Sequence, residues 1–160
     1  MARAKHYSEA NTIHHVTTRT LGRKPYLARP ADKHLVLNAL DFYRRRGDFA
    51  LYGFIVMDNH LHLVIQPKNG LGLARITDNL KTWTSRRNSA KPQTSRLWER
   101  RYDDNAIRSE EEMLAVLDYI HGNPVRAGMV KAPEDCLWSS IHNYLGDGKA
   151  LIEVDTCWQG

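Results

Sequence analysis

Two histidines separated by one residue, His60 and His62, are the first side chains whose types and spacing could do chemistry. The segment that begins here predicts a β-strand, and side chains alternate between the two faces of a strand. His60 and His62 therefore share one face, whereas Leu61 faces the core. Two neighbouring imidazoles are typical ligands of a divalent metal. On spacing alone, ordinary surface histidines are the more common interpretation, because zinc usually recruits three or four protein groups and neither Cys136 nor Cys157 has a CxxC-type neighbour.

A tyrosine and an asparagine four residues apart, Tyr119 and Asn123, form a second candidate pair. A capping box at Ser109 and Glu112 predicts a helix here. Its apolar stripe comprises Met113, Val116, Leu117 and Ile120. At roughly 100° per residue, Tyr119 projects about 60° outside that stripe and Asn123 lies on nearly the same side. A phenol and a carboxamide placed in this way suit a hydrolytic or transfer site if they meet the histidines. The alternative is structural, with Tyr119 packed on a neighbouring element and Asn123 ending the helix before Pro124.

The elements that must place these side chains follow the order strand, helix, strand, strand, helix, strand, helix. β-branched and aromatic runs predict strands at residues 14–20, 49–57, 61–66 and 98–107. Helical spacing of apolar residues predicts helices at residues 30–47, 73–83 and 109–122. Loops are predicted at residues 21–24, 57–60 and 89–96. This order predicts an α+β fold of the ferredoxin-like (RRM-like) type, in which helices cover one face of an antiparallel sheet of four to five strands and a C-terminal tyrosine-bearing helix is added.

Composition limits the class of protein. The 160 residues (18.4 kDa) suffice for one domain with a sizeable core, expected at residues 1–145 and followed by a tail at 146–160. Hydrophobic residues at 42% and charged residues at 26% exclude wholesale disorder. Two cysteines exclude a disulfide scaffold and indicate a reducing compartment. No signal peptide opens the chain and the longest apolar run, residues 49–57, is too short to span a bilayer, so we expect a soluble, cytoplasmic protein. The net charge of +5 suits a polyanionic partner without proving one.

Several motifs together resemble one family. Residues 57–65 (MDNHLHLVI) resemble the His-hydrophobic-His (HUH) motif of single-strand DNA transposases and relaxases. Residues 117–130 (LDYIHGNPVRAGMV) resemble the tyrosine helix of the REP-associated tyrosine transposases, an insertion-sequence-like group. Other short sequence motifs of that family are matched in the same order and at similar separations, at residues 15–19, 97–102, 133–135 and 138–140. The resemblance covers residues 12–145 and departs at His121-Gly122, where larger residues are usual.

The resemblance implies a function and a site. His60, His62 and Asn123 would hold Mg²⁺ or Mn²⁺, a hard cation that keeps positions for phosphate and water. Tyr119 would attack the scissile phosphate of single-stranded DNA, form a 5′-phosphotyrosine and release a 3′-hydroxyl, without a nucleotide cofactor. The chain would thus be a metal-dependent endonuclease and strand transferase that acts on hairpin-forming, palindromic DNA. No general base for the tyrosine is evident.

Three alternatives stay open at this point. A catalytically silent DNA-binding module on the same fold would need no nucleophile. A metal hydrolase that uses water directly would leave Tyr119 without a role. Tyr102, followed by two aspartates, is a rival nucleophile, although it lies outside the matched helix and lacks an asparagine one turn later.

Basic and aromatic residues are candidates for contacts with single-stranded or hairpin DNA. The candidate phosphate contacts are Arg19, Arg23, Lys24, Lys81, Arg86, Arg87, Arg100, Arg101 and Arg126, and the candidate base-stacking residues are Trp98 and Tyr102. The resemblance further implies a monomer in the bacterial cytoplasm, associated with the nucleoid. For the tail at residues 146–160, we hypothesise that it folds over the basic face and restrains activity.

Overall fold

A computed structural model describes residues 11–158. The strands are β1 (Ile13–Thr20), β2 (Phe49–Val56), β3 (His60–Pro67) and β4 (Trp98–Ile107). The helices are α1 (Pro30–Arg46), α2 (Leu73–Arg87), α3 (Glu110–His121), α4 (Asn123–Arg126) and α5 (Ile141–Leu145). Short 3₁₀ turns lie at Leu21–Arg23 and Pro133–Asp135. The predicted elements are all present, with β3 beginning at His60 inside the predicted turn.

The described strands form one four-stranded sheet in the order β2-β3-β1-β4, with every neighbouring pair antiparallel. Together with the chain order, this arrangement confirms the predicted ferredoxin-like α+β fold. β3 and β1 occupy the centre of the sheet, and their register pairs Thr17 with His62 and Arg19 with His60. The candidate histidines therefore lie on a strand that is hydrogen-bonded on both sides.

Helices α1 and α2 cover one face of the sheet. Leu61, Leu63 and Ile65 of β3 point into the core beneath them, as the alternation predicts. Helix α1 ends where Gly47 adopts a left-handed conformation (φ 92°), which glycine accepts without a steric penalty. This side of the sheet forms the larger apolar core.

Helix α3 packs on the opposite face, over β2. Its Leu117 and Ile120 join a second apolar cluster with Ile55 of that strand. At its start, the Ser109 hydroxyl accepts from the Glu112 N–H at 3.1 Å, as the capping box predicts. The Glu112 carboxylate, however, accepts from the N–H of residue 108 rather than from that of Ser109. The second face is thus covered by α3 at β2, and its apolar cluster extends to Val64 of β3 and Ile13 of β1.

The tail lies along β2, an edge strand of the sheet. The Asp155 N–H donates to the Leu51 carbonyl at 2.6 Å, and the Leu51 N–H donates to the Asp155 carboxylate at 3.0 Å. Arg44 of α1 donates to the same carboxylate at 2.9 Å. Such pairing protects an edge strand from other chains. The hypothesis that the tail covers the basic face is not supported, because these contacts place it at the edge opposite β4.

Among residues 11–158, the helices are all too short or too polar to cross a bilayer.

Candidate active site

The two predicted ligand histidines lie side by side on the face of the sheet that also carries α3. Their ring centroids are 5.0 Å apart and the ring planes are nearly perpendicular, at 89°. They face a cleft of about 340 Å³. The residues that line it are Thr17, Arg19, Arg23, Asn59, His60, His62, Tyr119 and Asn123. Side chains from β1, β3, α3 and α4 therefore meet at one place.

Asn123 lies at the start of α4 and contacts the first histidine directly. Its Nδ2 donates to His60 Nε2 at 3.1 Å, and His60 Nδ1 donates to Asn59 Oδ1 at 2.8 Å. The second bond keeps the ring proton on Nδ1, so the Nε2 lone pair faces Asn123. A carboxamide carries an oxygen and a nitrogen of nearly the same shape, so the same side chain can present an acceptor oxygen here.

Tyr119 occupies the last turn of α3, beside the histidines. Its ring centroid lies 5.9 Å from that of His62, and the residue is 51% exposed. Leu117 and Ile120 on either side of it are buried against β2 and hold this end of the helix on the sheet. The tyrosine is thus anchored through its neighbours while its own ring stays accessible to a large substrate. The packed role considered above does not apply to it.

Two further residues at the site escaped the sequence reasoning. His15 Nε2 lies 3.0 Å and Thr17 Oγ1 lies 2.9 Å from His62 Nδ1. The His15 ring also approaches Tyr119, with 6.3 Å between centroids. These contacts occupy Nδ1 of His62 and leave its Nε2 free, which is the usual way in which an outer partner orients a ligand histidine. In the sequence, the two-residue spacing of His15 and Thr17 on β1 indicates that they share a face. It does not show that they contact His62 until the pairing of β1 with β3 is known.

The site favours neutral imidazoles surrounded by positive charge. Burial, as the largest cause, and the nearby His60, His15, Arg19 and Arg126 together lower the pKa of His62 to about 3. Burial is also the main cause of the lowered pKa of His60 and of His15. These rings are therefore unprotonated at neutral pH, and the neutral ring is the form that binds a metal.

The residues present are compatible with a divalent cation that keeps open positions, and they do not form a closed zinc site. The described part of the chain holds no group of three or more His, Cys, Asp or Glu side chains arranged around an ion. What it offers is two neutral imidazoles, His60 and His62, and one carboxamide, Asn123, around a common cleft. Such a set leaves the remaining positions to water and phosphate oxygens.

Arginines from β1 and the following turn carry positive charge to the cleft. Arg19 donates to Asp103 of β4 at 2.8 Å while it lines the cleft. Gly22 and Arg23 both have positive φ (63° and 53°), which turns the chain so that Arg23 also lines it. The exposed Lys24 follows directly. Arg126 lies over the Tyr119 ring, with 4.4 Å between its guanidinium carbon and the ring centroid.

The other basic candidates lie on α2 and β4. Lys81, Arg86 and Arg100 line a separate cleft of about 460 Å³ between these elements. Arg87 stacks on Trp83 at 4.0 Å beside it. Arg101 is exposed on β4. The basic residues predicted to contact DNA thus form two groups, one at the histidines and the other between α2 and β4.

The two aromatic candidates face away from the histidines. Trp98 is only 5% exposed and its Nε1 donates to Thr84 at 2.8 Å, so the expectation that Trp98 stacks a base is not supported. Tyr102 packs partly buried against the core under α1 and α2, and burial raises its pKa. As a rival to Tyr119, it lies on the wrong side of the sheet to meet His60 and His62.

Comparison with known proteins identifies the family. Residues 8–123 match the family model described as "Transposase IS200 like". The chain is 32% identical over 123 residues to a Haemophilus influenzae protein assigned as a REP-associated tyrosine transposase, covering 70% of this chain and 68% of the relative. It is 26% identical over 132 residues to the REP-associated tyrosine transposase of Escherichia coli K12, covering 79% of this chain and 72% of the relative.

A solved structure shares the fold. It is that of a REP-associated tyrosine transposase bound to a REP hairpin, with a TM-score of 0.78 at 20% identity, covering 100% of this chain and 96% of the other. The resemblance drawn from the histidine and tyrosine motifs is confirmed: this chain belongs to the IS200-like family of tyrosine transposases.

Proposed function

We propose that this transposase is a metal-dependent nuclease and strand transferase that binds hairpin-forming DNA and cuts a flanking single strand through Tyr119. One observation carries the proposal. The Tyr119 ring, on α3, stands 5.9 Å from that of His62, on β3, in a cleft that His60 and Asn123 also line. A phenol from α3, two imidazoles from β3 and a carboxamide from α4 meet there. An exposed DNA-binding sheet would not need that convergence.

The reaction is a transesterification. The Tyr119 oxygen attacks the scissile phosphorus, the bond between phosphorus and the 3′-oxygen breaks, and a phosphotyrosine on the 5′ side forms. The phenol proton leaves to solvent and the released 3′-oxygen takes up a proton. One phosphoester replaces another, so attack by a second 3′-hydroxyl reverses the step and joins strands without an energy source.

The chain's own groups prepare this step. His60, His62 and Asn123 are the residues that would hold Mg²⁺ or Mn²⁺, and the ion would supply positive charge to the phosphate oxygens as negative charge develops. Arg19 and Arg23 line the same cleft and add to that field. The half-exposed ring of the nucleophile leaves room for a nucleotide on its outer side.

Hairpin DNA is the proposed substrate because the REP hairpin is what the solved structural neighbour binds. The two basic groups on the surface suit a DNA substrate that has both a folded stem and a single-stranded flank. The group at the histidines would contact the strand to be cut, and the group on α2 and β4 would contact the phosphates of the folded stem.

The test is covalent capture. A labelled hairpin oligonucleotide with a single-stranded flank is incubated with the protein and Mn²⁺ or Mg²⁺, and a denaturing gel is examined for a protein–DNA adduct. Wild type forms the adduct and Tyr119→Phe does not. Tyr102→Phe, the matched control, keeps it, and EDTA abolishes it.

The alternatives give different results. Cutting that persists in Tyr119→Phe without an adduct indicates a hydrolase that uses water. Hairpin binding without cutting under any metal condition indicates a silent binding module. Either result refutes the proposed tyrosine mechanism.

A further inference from the structure

The side chain of Arg126 is engaged with the nucleophile itself. Its guanidinium carbon lies 4.4 Å from the Tyr119 ring centroid, within the range of a cation–π contact. Its Nη2 also donates to the backbone carbonyl of Tyr119, near the C-terminal end of α3. One side chain thus binds both the ring and the backbone of the same residue. Removing it would free the ring on its exposed side.

Gly122 provides the space for this contact. A Cβ added at Gly122 would lie 2.6 Å from Arg126 Nη1 and 3.2 Å from the Asp118 carbonyl oxygen. The backbone at Gly122 is helical (φ −79°, ψ −10°), so any residue could adopt its conformation. Glycine at this position therefore leaves the Arg126 guanidinium where it is, whereas a larger residue would have to displace it.

We propose that Arg126 is a positioning residue, held in a slot that Gly122 opens, and that it fixes the Tyr119 ring beside the histidines. The inference rests on the proposed function, because it assigns the nucleophile's support. It also changes the expected role of Arg126. A phosphate contact would present the guanidinium to DNA, whereas here one face lies on the ring and one nitrogen is committed to a backbone carbonyl.

Three variants and one control separate positioning from phosphate binding. Arg126→Ala removes the guanidinium, and Arg126→Lys keeps the charge but loses the planar group that stacks on the ring. Gly122→Ala keeps the arginine and adds only the methyl group that collides with it. Arg45→Ala is the control, since Arg45 is 73% exposed on α1 and bonds only weakly to Asp41 at 3.4 Å.

Two measurements are made on DNA. The first is the rate of adduct formation at saturating hairpin, and the second is the hairpin Kd in EDTA. Since misplacing a reacting group by 1 Å costs up to about 100-fold in rate, we expect Arg126→Ala and Gly122→Ala to slow the adduct about 10-fold. Arg126→Lys recovers part of the rate, and Arg45→Ala has none of the effect. The Kd changes less than about 2-fold in all of them, because the phosphate contacts are kept.

A third measurement needs neither DNA nor metal. Carbon-13 relaxation of the labelled Tyr119 ring is expected to show faster and wider motion in Arg126→Ala and Gly122→Ala than in wild type. A weaker hairpin Kd with an unchanged saturating rate would identify Arg126 as a phosphate contact and overturn the proposal. Unchanged ring motion in both variants would overturn it as well. If wild type forms no adduct, the proposed function fails, and ring motion alone then decides whether Arg126 positions Tyr119.

Discussion

The placement of Tyr119 depends on a close approach between α3 and β2, and replacing Gly53 by alanine should disturb it. Gly53 lies under α3, at an irregularity in the pairing of β2 with β3. An alanine Cβ there would lie 2.6 Å from Leu117 Cδ2 and 3.2 Å from Ile120 Cδ1, whereas ordinary contact begins at 3.4 Å. Because Leu117 and Ile120 are buried and the sheet on the other side is packed against the main core, we expect the helix to move outward by about 1 Å. Tyr119 lies between those two residues and moves with them.

The expected effect on rate follows from that displacement. A shift of about 1 Å at a reacting group costs about 100-fold in rate, and overpacking a core costs about 1–3 kcal/mol of stability. Gly53→Ala should thus slow adduct formation at saturating hairpin by about 30- to 100-fold and lower the melting temperature by about 5 °C. Gly72→Ala is the matched control, since a Cβ there meets nothing within 4 Å and its φ of −83° suits alanine.

A double variant provides a second check. Leu117→Ala removes the atom that collides with the new methyl group, so Gly53→Ala should cost less rate in that background than in wild type. Normal adduct rate and normal melting temperature in Gly53→Ala would refute the reasoning. A lower melting temperature with a normal rate would also contradict it, because the helix would then have relaxed without moving Tyr119.

Two further predictions concern the histidines outside the ligand pair. His15→Phe removes a partner of His62 Nδ1, so we expect the Mn²⁺ affinity, measured by calorimetry, to fall about 10- to 100-fold. The hairpin Kd in EDTA should not change. Unchanged Mn²⁺ affinity would show that His15 does not orient His62. Burial lowers the pKa of His121 to about 4, whereas in the unfolded chain it is about 6.5. Between these two pH values the unfolded state binds a proton that the folded state excludes. The free energy of unfolding should therefore fall by about 3 kcal/mol as the pH falls from 6.5 to 4. His121→Gln should flatten the dependence measured by urea unfolding in EDTA, and parallel curves for the two proteins would contradict the assignment.

Local periodicity was sufficient to predict which candidate side chains share a face, and the family resemblance then singled them out as a site. His60 and His62 share a face because the two-residue repeat of a strand is a property of its backbone alone. Tyr119 and Asn123 share a side although α3 ends at His121 and α4 begins at Asn123, because Gly122 between them keeps helical angles. The helical spacing therefore continues through the break. In both cases the geometry is set within five residues of sequence.

Features that depend on distant pairing could not be read in this way. His15 reaches His62 only through the register of β1 against β3, which nothing local specifies. Trp98 looked like a stacking platform, yet it begins β4 beside a shift in the pairing with β1 and turns inward to bond Thr84. The tail was assigned to the wrong face because the contacts that hold it, among them Asp155 with Leu51 on the β2 edge and with Arg44, join residues about a hundred positions apart.

In the proposed reaction the metal ligands and the nucleophile are held by different elements, the central strand β3 and the C-terminal end of α3. Metal ligands must be held to a fraction of an ångström, and His60 and His62 lie on a central strand that is hydrogen-bonded to β1 and β2 along its length. A tyrosine that carries a DNA end must remain open to the next strand, and Tyr119 is held on an exposed helix end by packing beneath it and by Arg126 above it. Because the supports are separate, damage to the α3–β2 contact should reduce rate with Mn²⁺ affinity intact, and damage to the contacts from β1 should reduce Mn²⁺ affinity first. Loss of both properties together from Gly53→Ala would mean that helix and sheet form a single unit, in which Asn123 carries the displacement of α3 to the metal ligands.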